Sequence, residues 1–500
     1  MKNKLYLLIV ASTITFSGCT KLDEKLNGQI SDTEPGAVNA TALLQGAYIS
    51  MRTPYQGNYN WSALQQITTD EAIAPTRGGD WDDNGAWRAL FLHQWQADHV
   101  RIHNVFRDLN AVSYAATDLL RYNPTPQQAA EARFIRAFSQ FSILDGWGQT
   151  PYREPGEEIL KMPRVRNAEE QIEYLIRELN EIIPDLPTGN PQIANQDAAR
   201  MLLMKVYLNK GAFLNRRNPV FDNIDMQMIV TLADQIIGRY TLANNYFDNF
   251  ALNNNQSTEN IFLSANTGGS NSGDIYSMFR STMHYNMNPS GSNGFATLSN
   301  FYDKFEQDDQ RRSSPYPGVT NVAGLRMGFL IGQQFNAAGI ALQDRRGNPL
   351  SFTPEVSIIE RGNNLEVTGI RVIKYVPDYI NLGSNNAQND WVFYRYSDVL
   401  LMKAEALLRM NQIAAALPLV NEVRTQRNAS ALVSLSLDNL LDELGREFFW
   451  EAHRRTDLIR FSKYLDAWQE KPASNPRALL FPIPLNQAGN TNLIQNPGYE

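Results

Sequence analysis

Cysteine is almost absent from this 500-residue sequence, which contains a single thiol at Cys19. One thiol cannot form an intramolecular disulfide, so other interactions must hold the fold together. After the first residues, no apolar run approaches the 18 residues typical of a membrane-spanning helix. Basic residues are in deficit, because 45 Lys and Arg face 52 Asp and Glu, a formal net charge of -7. Since nucleic-acid binding needs a concentrated basic surface, the sequence predicts no nucleic-acid partner.

Motifs of common enzyme classes are missing as well. The sequence has no Walker A loop, no H-E-x-x-H, no G-x-S-x-G and no dinucleotide fingerprint. His99 and His103 are four residues apart on a predicted helix and could share a metal ion, but no carboxylate pattern accompanies them. A place on the helix surface or in the core is the simpler interpretation. We therefore expect neither a cofactor nor a metal ion.

The first 18 residues have the pattern of a signal peptide. Lys2 and Lys4 precede an apolar stretch, residues 5–16, and small residues stand directly before Cys19. The stretch is too short to span a membrane. Because a lone cysteine after Ser-Gly looks like a lipobox, we expect residues 1–18 to be removed and Cys19 to be acylated. Acyl chains would then anchor the protein through a polar tether, residues 19–38. A buried structural cysteine fits these flanks poorly.

Aromatic residues, by contrast, are plentiful, with 8 Trp, 21 Tyr and 23 Phe. Apolar periodicity predicts helices over residues 40–51, 101–120, 127–147, 168–183, 197–208, 229–237, 396–410 and 413–427. Paired helices of this length with small residues at their contacts are tetratricopeptide-like. We therefore predict a mainly α fold: one body over residues 39–500, helical over 39–240 and 396–465. A loop-rich insertion with a few short strands covers 242–395, and a tail covers 466–500.

A charged stretch near the C-terminus, residues 438–464, is predicted to form one long amphipathic helix. Opposite charges stand three or four residues apart and predict ion pairs along it: Glu451 with Arg454 and Arg455, and Asp457 with Arg460. Taken alone, this is the pattern of a solvated face with weak ion pairs. Gly445 would cost roughly 1 kcal/mol inside a helix relative to Ala, so the helix could begin after it.

Within this stretch, the run REFFWEAHRRTDLIRF resembles the C-terminal signature of the SusD/RagB family of outer-membrane glycan-binding lipoproteins. Ala452 stands where that pattern usually has Gly. Residues 131–148, 394–408 and 479–499 resemble further motifs of the same family. We expect the signature residues to act as a structural brace: Arg446, Glu447, Glu451, His453, Arg454, Arg455, Asp457 and Arg460.

The resemblance also implies a function. It implies a non-catalytic protein that captures an oligosaccharide or polysaccharide and passes it to a SusC-like TonB-dependent transporter. It further implies attachment to the outer membrane through the lipid anchor, with the protein facing the cell exterior.

Two aromatic loops, residues 70–95 and 267–295, have the composition that a glycan site needs. Flat aromatic rings suit the C–H face of a sugar, and short polar groups suit its hydroxyls. The candidate contacts are Asp70, Arg77, Asp80, Trp81, Asp83, Tyr276, His284 and Tyr285. Trp81 is the first candidate because its Gly-rich loop has few side chains that could bury it. Alternatively, these aromatic residues cap the helical body.

Two other functions stay open from the sequence. A helical-repeat scaffold could bind a protein or peptide instead of a sugar. Asp80, Asp82 and Asp83 could include the acid and base of a glycoside hydrolase, whose carboxylates stand roughly 5 to 9.5 Å apart. Sequence supplies no such distance, and carboxylates that bind sugar hydroxyls would look the same.

Overall fold

Long antiparallel helices make up most of the chain from Ala40 onward. The computed structural model describes residues 39–487, 489–490 and 492–500, so the predicted signal peptide, Cys19 and the tether lie outside the described residues. Residues Ala40–Glu500 form one compact unit. The helices are α1 (Ala40–Ser50), α2 (Arg52–Tyr55), α3 (Trp61–Gln66), α4 (Ala86–Phe91), α5 (Val100–Leu119), α6 (Pro126–Trp147), α7 (Ala168–Ile182), α8 (Gln196–Leu214), α9 (Asn223–Asp234), α10 (Tyr276–Arg280), α11 (Ser299–Tyr302), α12 (Thr320–Ala323), α13 (Tyr396–Arg409), α14 (Ile413–Gln426), α15 (Leu437–Glu447) and α16 (Arg454–Arg460).

Local sequence explains where these helices begin and end. Thr125 and Gln128 exchange side-chain and backbone hydrogen bonds at the start of α6, which satisfies N–H groups that the first turn leaves unpaired. Asn167 and Glu170 do the same for α7. Gly148 ends α6 with a φ of 72°, a conformation that costs glycine little. Successive helices then pack as neighbours, α5 on α6, α7 on α8, α8 on α9 and α13 on α14.

The segment between α9 and α13 is irregular and carries most of the strands. The strands are β1 (Ala72–Ile73), β2 (Thr150–Tyr152), β3 (Arg164–Arg166), β4 (Asn260–Ser264), β5 (Ala296–Thr297), β6 (Ser313–Ser314), β7 (Met327–Leu330), β8 (Gly332–Gln333), β9 (Ser351–Phe352), β10 (Arg371–Ile373) and β11 (Trp391–Arg395). All their pairings are antiparallel: β1 with β5, β2 with β3, β4 with β11, β8 with β9, and β7 between β6 and β10. The pairing of β1 with β5 therefore joins the insertion to the N-terminal half, whereas β4 and β11 pair within the insertion, with β11 directly before α13.

The predicted fold class is confirmed, since the structure is mainly helical with a loop-rich insertion. Helices α1, α5, α6, α7, α13 and α14 begin and end within one residue of the predicted bounds. Helix α8 extends six residues past its predicted end, and α9 begins six residues before its predicted start. None of the helices within the described ranges is long and apolar enough to cross a bilayer.

The prediction of one helix over residues 438–464 is wrong. The chain forms α15 and α16, joined by residues 448–453, which we call the signature loop. Trp450 and Ala452 have φ values of 56° and 62° there, a conformation that ends a helix because L side chains rarely adopt it. Gly445 lies inside α15, so the helix does not begin after it. A Cβ at Gly445 would lie 2.9 Å from Nη1 of Arg454, which explains the glycine.

The break changes the ion pairs as well. Asp457 and Arg460 pair as predicted, at 2.7 Å. The predicted pairs of Glu451 with Arg454 and Arg455 are wrong, because the loop turns Glu451 towards Lys374 (2.6 Å). Arg454 pairs with Asp70 and Arg455 with Asp145 instead, at 2.7 and 3.5 Å. These side chains are buried, so the predicted solvated face is part of the interior.

Glu447, at the end of α15, is the centre of a buried ion network. Its Oε1 lies 2.8 Å from Arg395 and 3.0 Å from Arg427, and its Oε2 lies 3.0 Å from Arg311. Burial opposes ionisation of Glu447, but the three guanidinium groups outweigh it and hold the pKa well below its usual range. Arg427 and Arg395 also pair with Glu259, just before β4. The network therefore ties α13, α14 and α15 to the insertion.

Replacing Glu447 with Gln tests this network. We expect Glu447→Gln to lower the free energy of unfolding by about 3 to 5 kcal/mol, because the buried guanidinium groups lose their shared anion. Urea unfolding at pH 7 measures the change. Glu173→Gln on α7 is the control, since Glu173 is exposed and shows no ion pair among the described residues. Equal stability of the two variants would contradict the assignment. Because the folded pKa of Glu447 is depressed, its contribution is full above the unfolded pKa and falls as the pH drops below about 4.3.

Candidate functional site

The two aromatic loops predicted from the sequence meet at one surface. Strands β1 and β5 pair with Ala72 opposite Thr297 and Ile73 opposite Ala296. Residues 74–95 leave β1, and residues 267–295 lead into β5. This short pairing therefore forms a common base for both loops. We call the surface above it the aromatic surface.

Trp81 lies half-buried where the two loops touch. Its Nε1–H donates to the carbonyl oxygen of Ser292 (3.0 Å), and its ring meets Phe295 edge to face at 5.3 Å. A Cβ at Gly294 would lie 2.3 Å from the Trp81 ring, so this close approach needs glycine. Trp87 is buried behind Trp81 and contacts the same Phe295 at 4.9 Å. Trp81 therefore joins the loops with part of its ring and exposes the rest.

A polar notch of about 130 Å³ lies beside Asp80. Its lining includes the half-buried Tyr285 and the exposed Asp80, Arg345, Arg346 and Asn363. The Arg345 guanidinium stands 3.9 Å from the Tyr285 ring centroid. Its Nε donates to Oε1 of Glu366 at 2.8 Å. The notch thus places one aromatic ring among hydrogen-bond donors and acceptors with defined geometry.

Arg345 and Arg346 project from a tight turn between β8 and β9. Asp344 closes this turn, because its Oδ1 accepts the backbone N–H groups of Arg346 and Asn348, both at 2.8 Å. Gly347 adopts a φ of 86° at the tip. Neither arginine was a candidate contact, because nothing in the local sequence links residues 344–348 to the aromatic loops.

His284 supports the notch from inside and is fully buried. Its Nδ1 accepts the backbone N–H of Asn286 (3.0 Å), so its Nε2 carries the proton and donates to Oε2 of Glu366 (2.9 Å). Burial lowers the pKa of His284 even though Glu366 raises it. The imidazole is therefore neutral at pH 7, and it positions Glu366, which in turn holds Arg345 over Tyr285.

Arg77 and Asp70, two other residues predicted to contact the sugar, bond to other parts of the protein. Arg77 is buried and pairs with Glu360 at 3.2 Å. It also donates to the carbonyl oxygens of Asn293 (3.0 Å) and Thr368 (2.8 Å), and burial lowers its pKa to about 10. Asp70 accepts two hydrogen bonds from Arg454, both at 2.7 Å. These charged groups join segments of the chain.

Asp83 lies beside Trp87, near two residues that the sequence did not single out. Tyr59 is half-buried, 6.1 Å from Trp87 and 6.0 Å from Phe295. Arg101 covers Trp87 at 3.6 Å and lies 3.4 Å from the Asp83 carboxylate. The aromatic surface therefore extends from Tyr285 past Trp81 to Tyr59. The half-buried Tyr276 lies on α10, 5.4 Å from the guanidinium of Arg280.

The carboxylates of the first loop do not have the setting of a hydrolytic pair. Asp82 pairs with Arg88 at 2.6 Å, and Asp83 accepts a hydrogen bond from Trp87 as well as facing Arg101. Each of these two carboxylates is therefore already engaged by a neighbouring side chain. The arrangement suits hydrogen bonding to hydroxyls better than proton transfer.

Two other places in the described chain, a core cavity and the pair of His99 and His103, lack the features of a glycan site. A cavity of about 100 Å³ lies in the core between α6, α8, α13 and α16. Its carboxylates are paired, Asp398 with Lys205 (2.5 Å) and Asp457 with Arg460 (2.7 Å), and its size is far below that of an oligosaccharide pocket. His99 and His103 bond to Ala86 and Asn486 separately. Within the described ranges, no group of three or more His, Cys, Asp or Glu could hold a metal ion.

Comparison with known proteins agrees with the signature. The model of the SusD family matches residues 238–475. The starch-binding protein SusD of Bacteroides thetaiotaomicron is 26% identical over 508 aligned positions, which cover 89% of this chain and 86% of that protein. A SusD-like protein of Bacteroides ovatus is 23% identical, with 93% of this chain and 83% of that protein covered. The chain is therefore similar to SusD-family proteins, through the family model over residues 238–475 and through these relatives over most of its length.

Solved structures share the fold of this chain. A laminarin-binding SusD-like protein superposes with a TM-score of 0.70 at 20% identity, covering 92% of this chain and 99% of that one. Surface glycan-binding protein A from Bacteroides thetaiotaomicron, in complex with laminarihexaose, gives a TM-score of 0.68 at 18% identity, covering 91% and 98%. These relatives are named for binding, which agrees with the prediction of a non-catalytic protein.

The neutral imidazole of His284 predicts a pH dependence of stability. Its folded pKa lies below the unfolded value of about 6.5, so the unfolded state binds its proton first as the pH falls. The contribution is therefore complete above that pH and is lost on acidification. We expect thermal melts to show a smaller loss of stability between pH 7 and pH 5 in His284→Gln than in the unsubstituted protein. His103→Gln, at a half-exposed position, is the control, and equal pH slopes in all three proteins would refute the assignment.

Proposed function

We propose that this chain binds an oligosaccharide or polysaccharide on the aromatic surface. The observation that carries the proposal is the placement of Tyr285 and Trp81. Both rings are partly exposed at the meeting point of two loops that lie far apart in the sequence. Relatives named as starch-binding and laminarin-binding support the same ligand class.

The chemistry of the surface matches a sugar chain. A ring such as Tyr285 packs against the C–H face of a sugar, while Asp80, Arg345 and Asn363 supply acceptors and donors for its hydroxyls. The rings are held by neighbours before any ligand arrives, since Arg345 covers Tyr285 and Ser292 binds the Trp81 indole. Binding therefore costs little side-chain ordering. The notch takes one sugar unit, and the rest of the chain lies along the rings.

We further propose that the glycan passes from this surface to a SusC-like TonB-dependent transporter, with the protein anchored to the outer membrane through Cys19 and facing the cell exterior. The match of residues 238–475 to the SusD family model and the signal-peptide pattern before Cys19 support this proposal. A tethered receptor raises the local concentration of glycan beside its transporter, so transfer needs no free diffusion through the medium.

Glycan binding is tested by substitution at the two rings. We expect Tyr285→Ala to weaken binding at least about tenfold, equivalent to about 1.4 kcal/mol, because the sugar loses its stacking partner. Trp81→Ala should weaken it further, since Trp81 also joins the loops. Isothermal titration calorimetry with starch-type and laminarin-type oligosaccharides gives the affinities.

Tyr114→Ala is the matched control, because Tyr114 is 40% exposed on α5 in a separate groove. Full binding by Tyr285→Ala would remove the notch from the proposal. Absence of binding to a broad panel of neutral and acidic glycans would reject the function itself. Release of reducing ends during the incubation would instead indicate a glycoside hydrolase.

The anchor has its own test in cells that make the protein. We expect Cys19→Ala to abolish incorporation of labelled palmitate, because the thiol that accepts the lipid is gone, and to release the protein from the membrane fraction. Replacement of Ser17 by Ala, which leaves the thiol in place, is the control. Palmitate labelling of Cys19→Ala would show that the lipid, if any, is attached elsewhere.

A further inference from the structure

The base of the aromatic surface is in contact with the signature loop. Glu71 directly precedes strand β1, and strand β5 contains Thr297. The backbone N–H of Trp450 donates to Oε1 of Glu71, and the indole Nε1–H of Trp450 donates to Oγ1 of Thr297 at 3.1 Å. One residue of the signature loop thus holds both strands from which the aromatic loops extend.

A charged contact stands next to this one. Arg454, the first residue of α16, makes a two-pronged pair with Asp70, with Nε to Oδ1 and Nη2 to Oδ2 both at 2.7 Å. Such planar, charge-assisted pairs fix the orientation of both partners. Burial opposes ionisation of Asp70, but Arg454 outweighs it and lowers the pKa of the carboxyl. Asp70 and Glu71 are adjacent. Arg454 and Trp450 therefore bind the chain at two consecutive positions just before strand β1.

Aromatic packing continues from this base to the surface. The Trp450 ring lies 6.5 Å from Phe295, the residue directly before β5. Phe295 in turn contacts Trp81 at 5.3 Å and Trp87 at 4.9 Å. The position of Trp81 is therefore set by a side chain that packs on the signature loop. Trp450 is buried and does not reach the surface itself.

The signature loop is fixed just as firmly on its opposite side. Glu451, the next residue after Trp450, pairs with Lys374 (2.6 Å) and Arg395 (2.8 Å) in the core. Arg460 at the end of α16 pairs with Glu405 of α13 at 2.8 Å. The loop is thus clamped between the helical scaffold and the base of the aromatic loops. A displacement at Trp450 would therefore be transmitted to the base of the aromatic loops through Glu71 and Thr297.

From these contacts we infer that the signature loop positions the aromatic surface, so that Thr297, Trp450 and the pair of Asp70 and Arg454 set glycan affinity without touching the glycan. They are positioning residues that act through Phe295 and Trp81. The inference rests on the proposed function, since it concerns the affinity of that same surface. It also assigns Asp70 a different role from the direct sugar contact predicted from the sequence.

Thr297 allows the cleanest test. Thr297→Val keeps the shape of the side chain but removes the acceptor for the Trp450 indole, and Thr297→Ser keeps the hydroxyl. We expect Thr297→Val to weaken glycan binding about three- to tenfold, and Thr297→Ser to bind like the unsubstituted protein. Calorimetry is done at a temperature at which all variants are folded. Hydrogen exchange at the Trp81 amide, which donates to the carbonyl oxygen of Thr76 (3.1 Å), should be faster in Thr297→Val alone.

Arg460→Lys is the control for general loss of stability. It weakens the pairs with Glu405 and Asp457 on the scaffold side, so it should lower the melting temperature while leaving glycan affinity and exchange at Trp81 unchanged. Equal affinity and equal Trp81 exchange in Thr297→Val and the unsubstituted protein would overturn the inference.

Weakened binding in Thr297→Val and Arg460→Lys alike would also overturn it, because a purely structural effect would then suffice. If the unsubstituted protein binds no glycan, the proposed function fails separately. The positioning role is then decided by exchange at Trp81, and unchanged exchange in Thr297→Val rejects it.

Discussion

The carboxylate of Glu447 is the interaction on which the rest of this structure depends. It receives guanidinium groups from Arg311 in the insertion, Arg395 at the start of α13 and Arg427 after α14. Taking these charges out of water is costly, and the cost is offset only because each charge meets a partner at hydrogen-bond distance. An apolar core of equal volume would also hold the segments together, but it would tolerate sliding. Ion pairs with fixed directions place the insertion against the helices in one arrangement.

That arrangement accounts for the route from the core to the aromatic surface. The end of α15 is held at Glu447, the signature loop then turns through the left-handed residues Trp450 and Ala452, and Arg454 starts α16. The turn brings Trp450 beneath β1 and β5. The comparison with solved relatives establishes the fold of this scaffold, while the chemistry of the surface depends on side chains of this chain alone.

Much of the fold could be predicted because its signals are local. The bounds of α6 and α7 follow from apolar periodicity and from capping residues such as Thr125 and Asn167. The break at residues 448–453 could not be predicted. Trp450 adopts a positive φ there, and the residues that bind it, Glu71 and Thr297, are far away in the sequence. A helical spacing of charges looked like a surface pattern there, whereas tertiary contacts bury it.

The candidate site divides in the same way. Loop composition located the two aromatic segments, and β1 with β5 brings them together. The burial of Arg77 and His284 could not be predicted. Nothing in the sequence of a polar loop distinguishes an arginine or histidine that bonds inside the protein from one that faces the solvent. Arg345 and Arg346 were missed because residues 344–348 reach the notch only through the pairing of β8 with β9.

The turn that carries those two arginines has an evolutionary consequence. Asp344 closes it with backbone N–H groups, so its shape does not depend on which side chains occupy positions 345 and 346. Mutation can exchange both side chains, in charge as well as size, while the backbone of the turn stays as it is. The side chains that line the notch can therefore change one residue at a time, with no intermediate that has to refold.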